Sequence, residues 1–164
     1  MQQVANIGDV FKEYFKTAII PNRIIELGTA WGTFTHILYD VRNDINKDFD
    51  FITIDRITTI KDIPERMTYL EMDIFTNIEK IGEMIIPKTL LLCDNGNKPE
   101  EVRLLAPFLK EDCVIMAHDY SETKEIDYLY GGEIIWDDVK DLGLEKYNYE
   151  LMRKAGWLSL KTNI

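Results

Sequence analysis

Apolar positions along the chain gather in short runs, and amphipathic stretches separate one run from the next. Residues 8–19 place Val10, Phe11, Tyr14, Phe15 and Ala18 at helical spacing, which predicts an amphipathic helix, and Pro21 forces an extended entry to the next segment. The runs at 23–27, 50–54, 68–72, 89–93 and 113–117 mostly lack polar alternation, the pattern of strands buried on both faces. Between them, 33–45, 60–66, 77–85 and 99–109 have the composition and length of crossover helices, with Pro99 suited to a first turn. Such alternation predicts an α/β fold, a doubly wound and mainly parallel Rossmann-like sheet. The tail departs from it. After a long connection and a short helix near 137–147, the runs 149–153 and 157–162 are separated by a few residues including Ala155 and Gly156, which predicts an antiparallel hairpin and brings the strands to seven.

With 164 residues, 46% of them hydrophobic, the chain can bury one sizeable core but not two, so residues 1–164 are expected to form a single domain. A net charge of −10 and the lack of any Lys/Arg cluster argue against nucleic acid as the partner and favour a small-molecule substrate. No apolar run approaches the roughly 20 residues needed to span a bilayer. Asp9, Lys12, Glu13 and Lys16 interrupt the N-terminal stretch where a signal peptide would be apolar, so a cytoplasmic protein without membrane attachment is expected. Cys93 and Cys113 each sit in an apolar run and are expected to be reduced and buried.

The strongest chemical signal is Glu26-Leu27-Gly28-Thr29-Ala30-Trp31-Gly32-Thr33, between the first predicted strand and its helix. Gly28 and Gly32 suit a tight turn where a ligand approaches the backbone, although a plain strand-to-helix turn also uses glycine. Asp55 ends the second strand, where a carboxylate can accept both hydrogen bonds of a ribose diol; the alternative is a solvated loop aspartate. Asp94 and Asp119 follow the fourth and fifth strands, whose carboxyl ends share one crevice with the glycine loop. Two carboxylates in one crevice repel unless neutralised, and Mg²⁺ is the expected ion, against the reading that each aspartate contacts a cofactor or caps a helix. His118 is a candidate general base or metal ligand, and Lys98 a candidate for activating an acceptor.

The pattern E-x-G-x-x-x-G resembles motif I of class I S-adenosylmethionine-dependent methyltransferases, in the form found in cephalosporin-hydroxylase-like and catechol-type O-methyltransferases. Ala30 stands where the G-x-G-x-x-G of nicotinamide enzymes has its second glycine. The parallel sheet closing with one reversed strand is also the arrangement of class I methyltransferases. The resemblance implies S-adenosylmethionine as cofactor and methylation of a hydroxyl, assisted by Mg²⁺ at Asp94 and Asp119. It places Glu26 near the methionine amino group, Gly28, Thr29 and Gly32 along the methionine and ribose moiety, Asp73 at the adenine amino group and Ile74 against the ring, with Asp94 as a further cofactor contact. The sequence departs from the catechol-type pattern in having His118-Asp119 for an Asp-Asn pair and Lys98 one position later than the family's lysine.

Two other readings share these features: a nicotinamide-dependent oxidoreductase, and a binding or scaffolding protein that keeps the fold without turnover. His36 is expected to be a packing or surface residue, and Trp31, Trp136 and Trp157 are expected mainly in the core. The connection holding Tyr120, Tyr128, Tyr130, Gly131 and Gly132 is placed where a lid over the crevice would be. The N-terminal helix is expected to cover the sheet of its own chain or, in a homo-oligomer, a partner's.

Overall fold

The computed structural model describes residues 6–123 and 133–164. One seven-stranded sheet runs through it in the order β3-β2-β1-β4-β5-β7-β6. Strands β1 (Arg23–Leu27), β2 (Asp50–Asp55), β3 (Met67–Glu71), β4 (Thr89–Cys93) and β5 (Val114–His118) are parallel, while β7 (Trp157–Lys161) runs antiparallel to both β5 and β6 (Glu145–Lys146). Every residue of β4 and β5 is buried, which accounts for the absence of polar alternation in those runs.

Helices cover both faces. On one, α3 (Ile78–Met84) and α4 (Lys98–Leu105) pack Ile81, Val102 and Leu105 on Ile25, Leu27, Leu91 and Ile115. On the other, α1 (Ile7–Thr17), α2 (Thr33–Asp44) and α5 (Tyr149–Arg153) enclose an aromatic core of Phe11, Tyr14, Phe15, Phe34 and Trp157. The N-terminal helix therefore covers the sheet of its own chain. Its buried side chains each contribute about 1.5–3 kcal/mol of apolar burial. Cys93 and Cys113 are buried free thiols, as their runs suggested.

Two elements differ from expectation. Residues 60–66 form no helix, because Pro64 disfavours helical backbone before it and Arg66 is left-handed at φ 67°. The segment instead braces the glycine loop: Thr59 Oγ1 donates to the Ala30 carbonyl, and Ile60 packs over Gly32. The run 149–153 is a helix rather than a strand, turning Met152 into the core, and Gly156 at φ 79° follows it. Its place beside β7 is taken by the two-residue β6, preceded by 3₁₀ turns at Trp136–Asp138 and Lys140–Leu142 where one short helix was expected. Among the described residues no helix is long and apolar enough to cross a membrane.

Candidate functional site

Chain connections reverse between β1 and β4: from β1 the chain proceeds outward to β2 and β3, then returns to β4 on β1's other side. The loops leaving β1 and β4 consequently diverge and open a crevice at the carboxyl end of the sheet. Two adjoining cavities of about 550 and 300 Å³ fill it, sharing Asp55 and Asn95. Gly28, Thr29, Asp94, Lys98, Asp119 and Glu133 line the larger, and Asp73, Ile74 and Phe75 the smaller.

The glycine loop is fixed from several sides. Gly28 has φ +98°, and a Cβ built there would lie 2.2 Å from the Asp94 backbone oxygen, so only glycine lets the β1 and β4 ends approach. Gly28 N–H donates to Ile54 O at 2.8 Å, and Asp94 N–H to Leu27 O at 2.9 Å, extending the sheet beyond its strands. Thr29, almost fully buried, shares a hydroxyl hydrogen bond with Thr53. Asp55 accepts from the Ala30 N–H at 2.7 Å and from the Arg56 N–H at 2.6 Å while still lining both cavities. It braces the loop from a half-buried position. Gly32, at φ +82°, lies under Ile60 and outside the cavity lining.

Glu26 is buried at the base of the loop. Along β1 its side chain alternates away from Leu27 toward α2, where the Thr35 hydroxyl donates to its oxygens at 2.8 and 2.9 Å. It lines neither cavity, and burial pushes its carboxyl up to about 8, with Thr35 opposing and Asp94 adding to the rise. In the smaller cavity, Asp73 accepts from Thr76 N–H at 3.1 Å, closing the turn before α3. Ile74 is buried there with Phe75 beside it.

At the other end of the crevice the residues after β4 and β5 converge, as the strand ends implied. His118 Nδ1 lies 3.1 Å from Asp94 Oδ1 and 3.2 Å from Asp119 Oδ1. Lys98 Nζ is 2.8 Å from Asp119 Oδ2, 3.8 Å from Asp94 Oδ1 and 2.5 Å from Glu133 Oε2. Burial works against the Lys98 charge, but Asp119, Glu133 and Asp94 outweigh it and hold the amine above its ordinary 10.5. Asp119 is held by charge proximity, since neither of its buried oxygens receives a hydrogen bond of good geometry. His118 is 3% exposed, stacks on Trp157 with centroids 4.7 Å apart, and stands behind the two carboxylates without lining the cavity. Asp94, His118 and Asp119 present donor atoms within 4.8 Å of one another, a set that fits a divalent cation.

Some participants carried no legible signal. Glu133 reaches Lys98 only through the fold, and residues 124–132 of the expected lid, with Tyr128, Tyr130, Gly131 and Gly132, lie outside the described residues. Glu101, fully buried one helical turn from Lys98 and pushed up to about 8 by burial, was legible in principle: Lys98, Glu101, Val102 and Leu105 form one stripe of α4. Trp31, expected in the core, is 73% exposed on the cavity rim, whereas Trp157 is buried as expected.

No protein-family model matches the sequence, and no curated protein does. Solved structures match it over nearly its whole length. The protein CmcI in its apo form has a TM-score of 0.69 at 18% identity, covering 100% of this chain and 74% of that one. A CmcI structure described with Mg and S-adenosylmethionine scores 0.69 at 17% identity, over 99% and 73% of the two chains. A candidate caffeoyl-CoA O-methyltransferase from Staphylococcus aureus scores 0.64 at 12%, over 98% and 84%. The methyltransferase PaMTH1 of Podospora anserina, bound to S-adenosylhomocysteine, scores 0.62 at 11%, over 99% and 80%. The chain has the class I methyltransferase fold, with its mixed sheet and antiparallel C-terminal strands.

Proposed function

We propose that this protein is an S-adenosylmethionine-dependent methyltransferase acting on a hydroxyl oxygen of a small molecule. The observation that carries the reading is the charge and shape of the crevice. Among the described residues, its larger cavity is lined by the carboxylates of Asp55, Asp94, Asp119 and Glu133 against one cation, Lys98. That balance suits a sulfonium and an amine, and it opposes the pyrophosphate of a nicotinamide cofactor. An elongated ligand also fits the order of the lining: Ile74, Phe75 and Asp73 for adenine in the smaller cavity, Asp55 for the ribose diol between the two, and Gly28 and Thr29 along the amino-acid end. Proteins of the same fold have been solved with that cofactor or its demethylated product.

When bound, S-adenosylmethionine supplies a methyl group that an acceptor oxygen takes in line from sulfur. The chain's own part is alignment and charge. Asp94, at the cavity surface, accepts the hydroxyl proton, and Lys98 donates to the oxygen as negative charge develops on it. Asp119 and Glu133 hold the Lys98 ammonium, so Lys98 serves as a cation rather than a base. His118 does not reach the lining and acts as a positioning residue for the two aspartates, or with them as a ligand of a divalent cation.

The test is release of demethylated cofactor with a panel of sugar, catechol-like and hydroxylated antibiotic acceptors, followed by mass spectrometry of the acceptor. A mass gain of one methyl on an oxygen, lost in Lys98→Ala, is expected. Cofactor binding without transfer to any hydroxyl, or transfer to nitrogen or carbon, would overturn the proposed acceptor chemistry.

A further inference from the structure

The cluster after β4 and β5 differs from a ring of carboxylates in one respect, the imidazole at its centre. His118 Nδ1 is 3.1 Å and 3.2 Å from one oxygen each of Asp94 and Asp119. These are hydrogen-bond distances, and two ligands at right angles on an ion with bonds of about 2.1 Å are separated by about 3.0 Å, so the imidazole and either carboxylate could share an ion with little movement. Nothing in the site is slack. The imidazole is wedged on Trp157, and Asp119 is held in left-handed backbone at φ 60° by the Glu133 and Ile134 amides, which donate to its carbonyl at 2.8 and 3.3 Å. The Asp119 side chain is 1% exposed and lines the cavity, and its Oδ2 is paired with a cation already, the Lys98 ammonium at 2.8 Å.

The chemistry of the donors then decides which cation. Mg²⁺ favours oxygen donors and keeps much of its water, whereas an imidazole nitrogen favours Co²⁺, Ni²⁺ and Zn²⁺. Lys98 bears on the affinity. Its ammonium is 2.8 Å from Asp119 Oδ2 and 3.8 Å from Asp94 Oδ1, so an entering ion must displace it, and the partly exposed Glu133 offers the displaced ammonium a partner.

We infer that Asp94, His118 and Asp119 form a site for a first-row transition ion in preference to Mg²⁺, with Lys98 as a built-in competitor for the same carboxylates. The inference deepens the proposed function by naming the ion of that crevice, and it rests on that reading for what the ion serves.

Co²⁺ titration of the whole chain, followed by visible absorption and by competition with Mg²⁺, tests it. One Co²⁺ per chain is expected, displaced only by Mg²⁺ at an excess of roughly 100-fold or more. His118→Asn should weaken Co²⁺ at least ~10-fold and leave Mg²⁺ nearly unchanged, whereas Lys98→Met should tighten Co²⁺ about 10-fold. Should the His118 variant fail to fold, the wild-type imidazole ¹⁵N resonances replace it: with two histidines in the chain, Zn²⁺ should shift His118 and spare His36. Equal or tighter Mg²⁺ binding, no cation binding at millimolar concentration, an unchanged preference in the His118 variant, an unmoved His118 resonance, or unaltered affinity in Lys98→Met would each overturn it. Calorimetry with S-adenosylmethionine in parallel separates the two readings. Cofactor binding with a Mg²⁺-preferring site defeats this inference alone, and a Co²⁺-preferring site without cofactor binding defeats the proposed function alone.

Discussion

Replacing Glu26 by glutamine should remove a pH-dependent weakness at the base of the glycine loop. Glu26 is 1% exposed, and burial raises its carboxyl from 4.5 to about 8, against the opposing Thr35 hydrogen bond and with Asp94 and Asp55 adding to the rise. Across that window the native chain keeps a proton that the unfolded chain releases, so stability falls as pH rises. Each pH unit there is worth about 1.4 kcal/mol, which sets an upper limit of about 5 kcal/mol, fully retained below pH 4.5 and lost by the time pH passes 8. The amide of Gln is neutral at every pH and keeps one oxygen to accept from Thr35. Glu26→Gln should therefore match wild type to within about 1 kcal/mol at pH 4.5 and exceed it by roughly 3 to 5 kcal/mol at pH 9. Glu101, also raised to about 8 by burial, tilts wild type and variant alike and cancels from their difference. Urea unfolding at pH 4.5, 7 and 9 measures it. A difference that stays constant with pH would refute the assignment of a buried, uncompensated carboxyl to Glu26.

Three further substitutions separate bracing from binding. Gly28→Ala places a methyl 2.2 Å from the Asp94 carbonyl at a left-handed φ, so a loss of about 2–4 kcal/mol in stability and of cofactor binding is expected; a thermal melt within 2 °C of wild type would contradict the close packing. Asp55→Asn keeps an acceptor for the Ala30 N–H but not the charge, and should weaken S-adenosylmethionine binding by about 1–2 kcal/mol with little change in melting temperature. An unchanged dissociation constant would leave Asp55 a brace only. Trp31→Ala, on the exposed rim, should leave the melt unchanged and raise the KM of the acceptor several-fold, by roughly 1 kcal/mol of lost contact; an unchanged KM would deny Trp31 any hold on the substrate.

The fold was legible where local pattern and tertiary burial agree. The unbroken apolar runs of β4 and β5 could only be interior strands, and the reversal between β1 and β4 then brought Asp94, Lys98 and Asp119 to the Gly28 loop. Residues 149–153 misled because a five-residue amphipathic stretch satisfies a helix and a strand alike, and only the core space that Met152 fills decides between them. Residues 60–66 misled through composition, since spacing does not reveal that Ile60 is needed over Gly32. Within the site, residue types were readable but directions were not. Glu26 points to Thr35, His118, a candidate general base or metal ligand, stands behind the two carboxylates, and Glu133 arrives from a distant connection. Side-chain direction at a strand end depends on the pleat, and a shift of one residue moves a carboxylate from the cavity to the helix face.

The crevice between β1 and β4 owes its selectivity, on this reading, to the four carboxylates that surround Lys98 among its described residues. Isothermal titration calorimetry with S-adenosylmethionine, its demethylated product and NAD tests that claim most directly. One S-adenosylmethionine per chain with a dissociation constant in the micromolar range, about −8 kcal/mol, and no saturable heat from NAD is the expected result. Saturable NAD binding without S-adenosylmethionine binding would contradict it.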